Sequence, residues 1–258
     1  MPCPLPCAPS ILQRTFIHGE GIGAATERNL WNSRARTWGA FLDRHRAGEL
    51  CNRRYARLAP LVEESQLALG RREIEFFERR LPSGEKWRLY SDFADRVAFV
   101  DIETTGLRAG FDQITVVGLY DGESFRAFVR GKNLDDFPNA VADYPLLVTY
   151  NGATFDVPFL QATFRGFAPR AHLDLRHPLR RLGFTGGLKN IEVATGISRP
   201  SELRDIDGFE AVRLWHLHRG GHSGALERLV AYCRQDVINL APLAARVAAD
   251  MPARIGCP

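Results

Sequence analysis

The stretch V-D-I-E-T-T-G-L, Val100–Leu107, places two carboxylates on one short strand and ends in a glycine turn. Asp101 and Glu103 are two residues apart, so both side chains project from the same face of an extended chain. Residues 97–100 are all apolar, as in a strand inside a sheet. Two like charges at the end of a buried strand raise each other's pKa and lose hydration. The stretch therefore predicts either a loop whose carboxylates face water or half of a metal site.

Two later segments have the same character. In T-Y-N-G-A-T-F-D-V-P-F-L (149–160), an apolar strand leads to Asp156 just before a helix. In L-E-R-L-V-A-Y-C-R-Q-D-V-I-N-L (226–240), Tyr232 and Asp236 are four residues apart and stack on one side of a helix, at the edge of its apolar stripe. Four acids therefore lie at the boundaries of apolar elements. They are Asp101, Glu103, Asp156 and Asp236.

A site that gathered these four acids would need cations. Without them, the buried like charges would be strongly destabilising. Two divalent ions about 3.5–4 Å apart can be held by such a set, where they activate a water and stabilise a departing oxyanion. Ligands that are all oxygen favour Mg²⁺ or Mn²⁺ over zinc. Taken singly, each acid is more often a turn or cap residue, so the metal-site prediction depends on the four together.

The surrounding chain alternates strands and helices. The segments 113–120 and 124–129 are predicted to form a β-hairpin around the turn Asp121-Gly122. Further strands are predicted near 145–150 and 172–175, and helices near 157–164, 188–195, 209–218 and 224–247. Early strands followed by alternating strands and helices predict an α/β fold, with a mixed sheet flanked by helices.

The N-terminal part is basic. Between residues 28 and 57, eight arginines against two acids leave a net charge of +6, more than the +4 of the whole chain. This block favours binding to a polyanion, although a solvated helix face in an arginine-rich protein explains it equally well.

Short helices are predicted over 24–31 and from Thr37, as N-cap, to Arg46. They follow a turn that contains Gly21 and Gly23. This outline is typical of a helix-hairpin-helix, in which backbone N–H groups at the turn hold a phosphate of a nucleic acid. A packing hairpin without a ligand is the alternative, because G-x-G alone is weak evidence.

The predicted organisation has five parts. They are a disordered tail (1–10), the helix-hairpin-helix-like region (11–60), a connector that is helical and then extended (61–95), the α/β domain (96–249) and a tail (250–258). No run of 18 apolar residues exists and the first ten residues lack an apolar core, so neither a membrane span nor a signal peptide is expected. The five cysteines form no C-x-x-C pair, which favours reduced thiols in the cytoplasm.

The three acidic segments resemble the exonuclease motifs of the DEDD (DnaQ-like) superfamily, in its tyrosine-containing branch. The motifs are D-I-E at 101–103, N-x3-F-D at 151–156 and Y-x3-D at 232–236. The whole arrangement most resembles the YprB-type ribonuclease-H-like family, over most of residues 11–245. This resemblance implies a ribonuclease-H-like fold and metal-dependent 3′→5′ hydrolysis of phosphodiester bonds at nucleic-acid ends.

The resemblance also implies a role for single residues. Asp101, Glu103, Asp156 and Asp236 would bind two Mg²⁺ or Mn²⁺ ions, and Tyr232 would orient the attacking water. The residues implied to contact the nucleic acid are Thr104, Thr105 and Leu107 at the terminal nucleotide, Asn151 and Phe155 at the next one, and Lys189 at a phosphate.

Two other positions are interpreted differently. Asp174, in H-L-D-L, is expected to anchor the exit of a strand rather than to bind metal. Arg34 lies at the second turn of the helical hairpin, where similar proteins often have glycine, and this weakens the case for a second phosphate contact there.

Three functions stay open. The first is a 3′→5′ exonuclease acting on single-stranded DNA. DNA is favoured over RNA because of the helix-hairpin-helix-like block, although contacts to the 2′-OH decide this choice. The second is a catalytically silent nucleic-acid-binding or scaffold module, against which the four intact acids argue. The third is a structure-specific endonuclease of the same fold.

Overall fold

The computed structural model describes residues 9–203 and 206–258, which form two compact units. The first unit comprises the residues up to Ala94 together with Ala248–Pro258, and the second comprises Asp95–Val247. The predicted tail at 1–10 lies almost entirely outside the described residues. None of the helices in the described part of the chain combines the length and hydrophobicity that a membrane span needs.

The first unit is helical. Its α-helices are α1 (Ala24–Asn32), α2 (Trp38–Arg46), α3 (Arg53–Gly70), α4 (Ile74–Glu78) and α5 (Tyr90–Phe93), with 3-10 helices at Leu12–Arg14 and Ser83–Leu89. The predicted helical pair α1–α2 is confirmed, and Thr37 caps α2 by accepting a hydrogen bond from Ala40 N at 3.2 Å. Arg34, between the two helices, has φ 68°, a left-handed conformation that favours glycine.

Two predictions for this unit differ from the structure. The segment predicted to be extended after residue 81 forms the 3-10 helix, because Arg88 donates a hydrogen bond to Glu85 one turn earlier at 2.8 Å and Trp87 is buried by the same turn. The predicted boundary at residues 60 and 61 falls inside α3, which continues through Pro60. Its buried side chains recur with helical spacing on both sides of that proline, so one continuous face packs against the unit.

The second unit contains a mixed five-stranded sheet. Its strands are β1 (Val97–Thr104), β2 (Ile114–Tyr120), β3 (Phe125–Val129), β4 (Leu146–Thr149) and β5 (Ala171–Asp174), in the order β3-β2-β1-β4-β5. The pairs β1–β2 and β2–β3 are antiparallel, whereas β1–β4 and β4–β5 are parallel. The predicted α/β fold and hairpin are confirmed, and the strand that carries Asp101 lies at the centre.

The helices of the second unit are α6 (Phe137–Val141), α7 (Asp156–Thr163), α8 (Arg176–Arg181), α9 (Leu188–Thr195), α10 (Gly208–Arg219) and α11 (Ala225–Ile255). The predicted tail at 250–258 is helical over most of its length, because α11 continues to Ile255, and the last residues of this helix belong to the first unit. The helix continues because Met251 follows Val247 by four residues, and both side chains are fully buried.

One glycine sets how closely α11 approaches the sheet. Gly118 on β2 lies opposite Asp101 on β1. A Cβ at Gly118 would lie 2.8 Å from Cys233 Sγ and 2.8 Å from Val237 Cγ2, so a larger residue would push the helix outwards. Because of this close packing, Tyr232 and Asp236 of α11 lie near the end of β1.

Candidate active site

The D-I-E motif lies on the central strand β1, as its apolar flank predicts. Asp101 and Glu103 are part of the strand, and Glu103 is buried. The regular pairing of β1 with β2 is interrupted between Glu103 and Thr104. The chain then turns away at the C-terminal end of β1. The two carboxylates therefore lie at that end of the central strand, where side chains from other elements can contact them.

Asp156 is the first residue of α7 and is only 2% exposed. Its Oδ1 accepts no hydrogen bond from any described residue. Burial, together with the nearby Asp174 carboxylate, raises the pKa of Asp156 to about 7. A buried carboxylate oxygen without a donor is rare in a folded protein and indicates a missing partner.

The neighbouring Asp174 has a structural role, and this prediction is confirmed. Its carboxylate accepts backbone N–H hydrogen bonds from Asn151 at 2.8 Å, Ala153 at 3.0 Å and Arg176 at 3.0 Å. These bonds hold the loop before α7, in which Asn151 has φ 64°. The loop in turn fixes the start of the helix and the position of Asp156.

Asp236 and Tyr232 come from α11. Asp236 Oδ1 lies 2.5 Å from Nη2 of Arg199, a buried arginine that also binds Glu192. Burial raises the pKa of Asp236 to about 6, although the charge of Arg199 opposes the shift. Burial, followed by the negative charge of Asp236, raises the pKa of Tyr232, so its hydroxyl stays protonated at neutral pH.

The structure brings the four predicted acids together. Burial, and then the charges of Asp236, Asp156 and Glu103, raise the pKa of Asp101 well above its ordinary value. Burial and the charges of Asp236 and Asp156 do the same to the pKa of Glu103. Arg199 is the cation that most opposes these shifts. The cluster therefore carries a strong excess of negative charge, as predicted for a metal site.

Cys233 adjoins the same cluster. One ligand atom each from Asp101, Glu103 and Cys233 lies within 4.8 Å of the others. Burial raises the pKa of the Cys233 thiol well above its ordinary value, and Sγ lies 3.8 Å from the carbonyl oxygen of Asp101. A neutral thiol is a poor metal ligand, so the site offers carboxylate oxygens. The carboxylates of Asp101 and Glu103, together with Oδ1 of Asp156, which accepts no hydrogen bond from a described residue, fit Mg²⁺ or Mn²⁺.

A cavity of about 590 Å³ opens beside the acids. Several predicted nucleic-acid contacts line it, namely Thr104, Thr105, Leu107 and Phe155. Leu107 is 81% exposed, which is unusual for a leucine. Phe155 packs on Phe159 with their ring centroids 4.9 Å apart.

Other predicted contacts lie elsewhere. Lys189 lines an adjacent cavity with Tyr232 and Asp236; its Nζ lies 5.4 Å from the centroid of the Tyr232 ring and donates a hydrogen bond to the carbonyl of Ile206. Asn151 does not line the cavity beside the acids. Its Oδ1 accepts hydrogen bonds from Thr154, at 3.0 Å, and from Arg176. Gly21 and Gly23 belong to the first unit.

Sequence reasoning missed two residues of the site. Arg199 is almost completely buried beside Asp236, but its partner is 37 positions later, so no local pattern reveals it. Phe209, in the first turn of α10, lines the cavity and is 86% exposed. An aromatic residue directly after Asp207-Gly208, where a helix begins, was the available signal for Phe209.

Solved structures that align with this chain include a family B DNA polymerase and the protein NrnC. A family B DNA polymerase from Pyrobaculum calidifontis aligns with TM-score 0.47 and 18% identity, covering 62% of this chain and 25% of the polymerase. This chain thus spans about a quarter of the polymerase's length. Brucella melitensis NrnC with bound Mg²⁺ aligns with TM-score 0.46 and 22% identity, covering 65% of this chain and 79% of NrnC.

Comparison with curated proteins gives no significant match. A family model, RNase_H_2, described as RNase_H superfamily, matches residues 98–248. The matched range contains all three acidic motifs and the whole sheet apart from the first residue of β1. Because the match covers more than half of its length, the chain belongs to the RNase_H superfamily.

Proposed function

We propose that the chain is a metal-dependent 3′→5′ exonuclease of the DEDD type, similar to the YprB family, that acts on single-stranded DNA. The observation that carries this proposal is the set of four carboxylates beside an open cavity, three of them buried and Asp101 half-buried, with mainly one arginine to oppose their charge. Membership in the RNase_H superfamily supports hydrolysis of a phosphodiester bond. In a buried cluster with a purely structural role, the charges are paired and hydrogen-bonded, so such a cluster has no excess of carboxylates.

Asp101, Glu103, Asp156 and Asp236 would hold two divalent cations, Mg²⁺ or Mn²⁺. When bound, such ions lower the pKa of a water and stabilise charge on the attacking and departing oxygens. The protein's contribution is to hold the four carboxylates in place, on the rigid β1 strand, at the start of α7 and on α11. Preorganised ligands lower the reorganisation that the reaction requires.

Tyr232 orients the attacking water. Its raised pKa keeps the phenol protonated, so it donates a hydrogen bond instead of removing a proton. Arg199, 5.7 Å from the Tyr232 ring centroid, packs against the ring and fixes Asp236 at the same time. Lys189, beside the same ring, carries the positive charge that a phosphate oxygen of the substrate would contact.

Leu107, Phe155 and Phe209 bind the bases at the strand end. Leu107 and Phe209 are exposed apolar side chains that line the cavity. An aromatic ring such as that of Phe209 stacks on bases without sequence preference, and Leu107 packs against the face of a base. Thr104 and Thr105 lie between these contacts and the acids along β1 and its turn. A site that grips the terminal base favours cleavage at an end over cleavage inside a strand.

The test is a gel assay with 5′-labelled single-stranded DNA and RNA of one sequence, in Mg²⁺, Mn²⁺ or EDTA. We expect a metal-dependent ladder that shortens from the 3′ end, faster on DNA. Asp101→Asn should abolish it. Asp143→Asn, which makes the same chemical change at an exposed position of the second unit, should leave it intact.

Other outcomes point to the alternatives. Intact substrate in every lane, together with a gel shift, would contradict the exonuclease and support the silent binding module. Cleavage of a closed single-stranded circle would support the endonuclease. Full hydrolysis by Asp101→Asn would show that the four acids are not the catalytic site.

A further inference from the structure

The first unit contains a basic cavity that has no part in the site described above. It has a volume of about 400 Å³ and is lined by Glu20, Gly21, Arg53, Arg54 and Arg57. The three arginine side chains are exposed, and one carboxylate faces them, which leaves a net charge of +2.

The three arginines lie in an electrostatically unfavourable place. All three lie within the first five positions of α3, whose N-terminal end carries the positive pole of the helix dipole, and the first turn contains no acid. Cations are normally stabilised at the opposite end of a helix. Three arginines at this end therefore raise the local positive potential instead of relieving it.

These arginines also lack the ion pairs that other arginines of the unit make. Arg44 pairs with Glu49 at 2.7 Å, and Arg46 pairs with Glu63 at 3.0 Å. By contrast, among the described residues, no carboxylate oxygen lies within 4.0 Å of a guanidinium nitrogen of Arg53, Arg54 or Arg57, even though Glu20 lines the same cavity. Their charge is available to a ligand.

A second helix begins next to this cavity. Arg54 Nη1 lies 3.4 Å from Oγ1 of Thr26, in the first turn of α1. The N-cap of α1 is Gly23, and no described side chain caps its first-turn N–H groups. Gly21 has φ 71°, and a Cβ there would meet nothing within 4 Å, so the backbone is open to an approaching group. Uncapped N–H groups of this kind bind anions.

We propose that this cavity is a phosphate site that binds a backbone phosphodiester of single-stranded nucleic acid; the identity of the strand rests on the proposed function, whereas the site rests on the arginines and the α1 N-terminus. Guanidinium groups contact two phosphate oxygens at once, and the backbone N–H groups add neutral donors. The site contacts phosphate alone, so DNA and RNA strands of one sequence bind equally at this position.

The experiment measures binding of a fluorescent single-stranded 20-mer to the full chain by anisotropy, in EDTA, over a series of salt concentrations. In the triple variant Arg53→Ala/Arg54→Ala/Arg57→Ala, we expect Kd to rise at least tenfold at low salt. The slope of log K against log salt should fall by about 0.7, since the cavity binds one phosphate and each phosphate contact on a single strand contributes about that much.

Matched variants make the test specific. Arg36→Ala/Arg71→Ala/Arg79→Ala removes the same charge from exposed positions of the same unit outside the cavity, and its salt slope should equal that of the wild type. Glu20→Gln removes the one acid in the cavity and should tighten binding about twofold to fivefold, a gain that misfolding would not produce. The loss in the cavity variant should be equal for DNA and RNA.

Equal losses of affinity in the two triple variants would overturn the phosphate site, as would weaker binding in Glu20→Gln or a loss confined to one sugar. These outcomes are independent of hydrolysis. If the ladder assay shows no cleavage but the cavity variant loses affinity, the proposed exonuclease fails and the phosphate site stands. If cleavage occurs and the cavity variant binds normally, the phosphate site fails and the proposed exonuclease stands.

Discussion

Each unit of the molecule buries a cluster of charge, and the two clusters differ in how the charge is balanced. In the first unit, Arg88 is 1% exposed and donates hydrogen bonds of 2.8 and 2.9 Å to both carboxylate oxygens of Glu27. It also donates to Glu85 at 2.8 Å and to Thr15 at 3.0 Å. In the second unit, three buried carboxylates and the half-buried Asp101 lie near one buried arginine, Arg199, which pairs with Asp236 and Glu192.

The difference separates a structural cluster from a binding site. A buried ion pair whose hydrogen bonds are all made supports one conformation, and removing a partner leaves an uncompensated charge. A cluster with excess carboxylate is destabilising in isolation and becomes favourable when a cation binds. The fold tolerates the second cluster because the sheet and α11 hold it rigidly, which is the arrangement expected where function opposes stability.

The largest expected effect comes from removing one acid from the unbalanced cluster. Asp156→Asn keeps the shape of the side chain but removes a metal-binding charge, so hydrolysis should fall by about 10³-fold or more, equivalent to several kcal/mol. The melting temperature in EDTA should not fall, because like-charge repulsion is relieved. Rates from the ladder assay and thermal unfolding curves measure the two effects.

Asp174→Asn is the matched control, since Asp174 is also buried but accepts three backbone N–H bonds. Its melting temperature should fall, because hydrogen bonds to a charged acceptor contribute about 1.5–3 kcal/mol each. A drop in stability of Asp156→Asn as large as that of Asp174→Asn would place Asp156 among the structural acids.

The balanced cluster should respond in the opposite way. Arg88→Met leaves Glu27 and Glu85 buried without their cation, so the free energy of unfolding should fall by about 3–5 kcal/mol. Arg46→Met, which breaks an ion pair between exposed side chains, should change it by less than about 1 kcal/mol. Urea titrations of the two variants compare them, and similar small losses would show that the Arg88 cluster does not hold the unit together.

The sequence predicted the unbalanced cluster far better than the balanced one. Asp101, Glu103, Asp156 and Asp236 each adjoin an apolar run, and their spacing alone assigns them to a face of a strand or helix. Arg88, in contrast, lies in a segment with alternating charge, and its partner Glu27 is 61 positions earlier. Pairing at that distance depends on tertiary packing, which also explains why Arg199 was missed.

Divalent cations should stabilise the wild type through the unbalanced cluster. At a concentration one hundred times its Kd, a ligand that binds only the native state adds about 2.7 kcal/mol to the free energy of unfolding. Mn²⁺ should therefore raise the melting temperature of the wild type and of Arg88→Met, but not that of Asp101→Asn. A shift of equal size in Asp101→Asn would locate the metal outside the four acids.

The smallest effect is a dependence of stability on pH in EDTA. The pKa values of Asp156 and Asp236 are raised to about 7 and about 6. In the unfolded state the pKa of an aspartate is about 3.9, so the native state holds protons that the unfolded state releases. Their stabilising contribution is complete below the unfolded value and is lost as the pH rises through 6 and 7. Arg88, with its pKa raised, stays charged throughout this range.

Asp156→Asn isolates that dependence, because every other titrating group is common to both proteins. At pH 8 the variant should be more stable than the wild type by about 1–2 kcal/mol, and the gap should shrink steadily towards pH 5, because it vanishes only near the unfolded pKa of about 3.9. Thermal unfolding at intervals between pH 5 and 8 follows the gap. A gap that widens towards pH 5 would mean that Asp156 is ionised and paired in the native state.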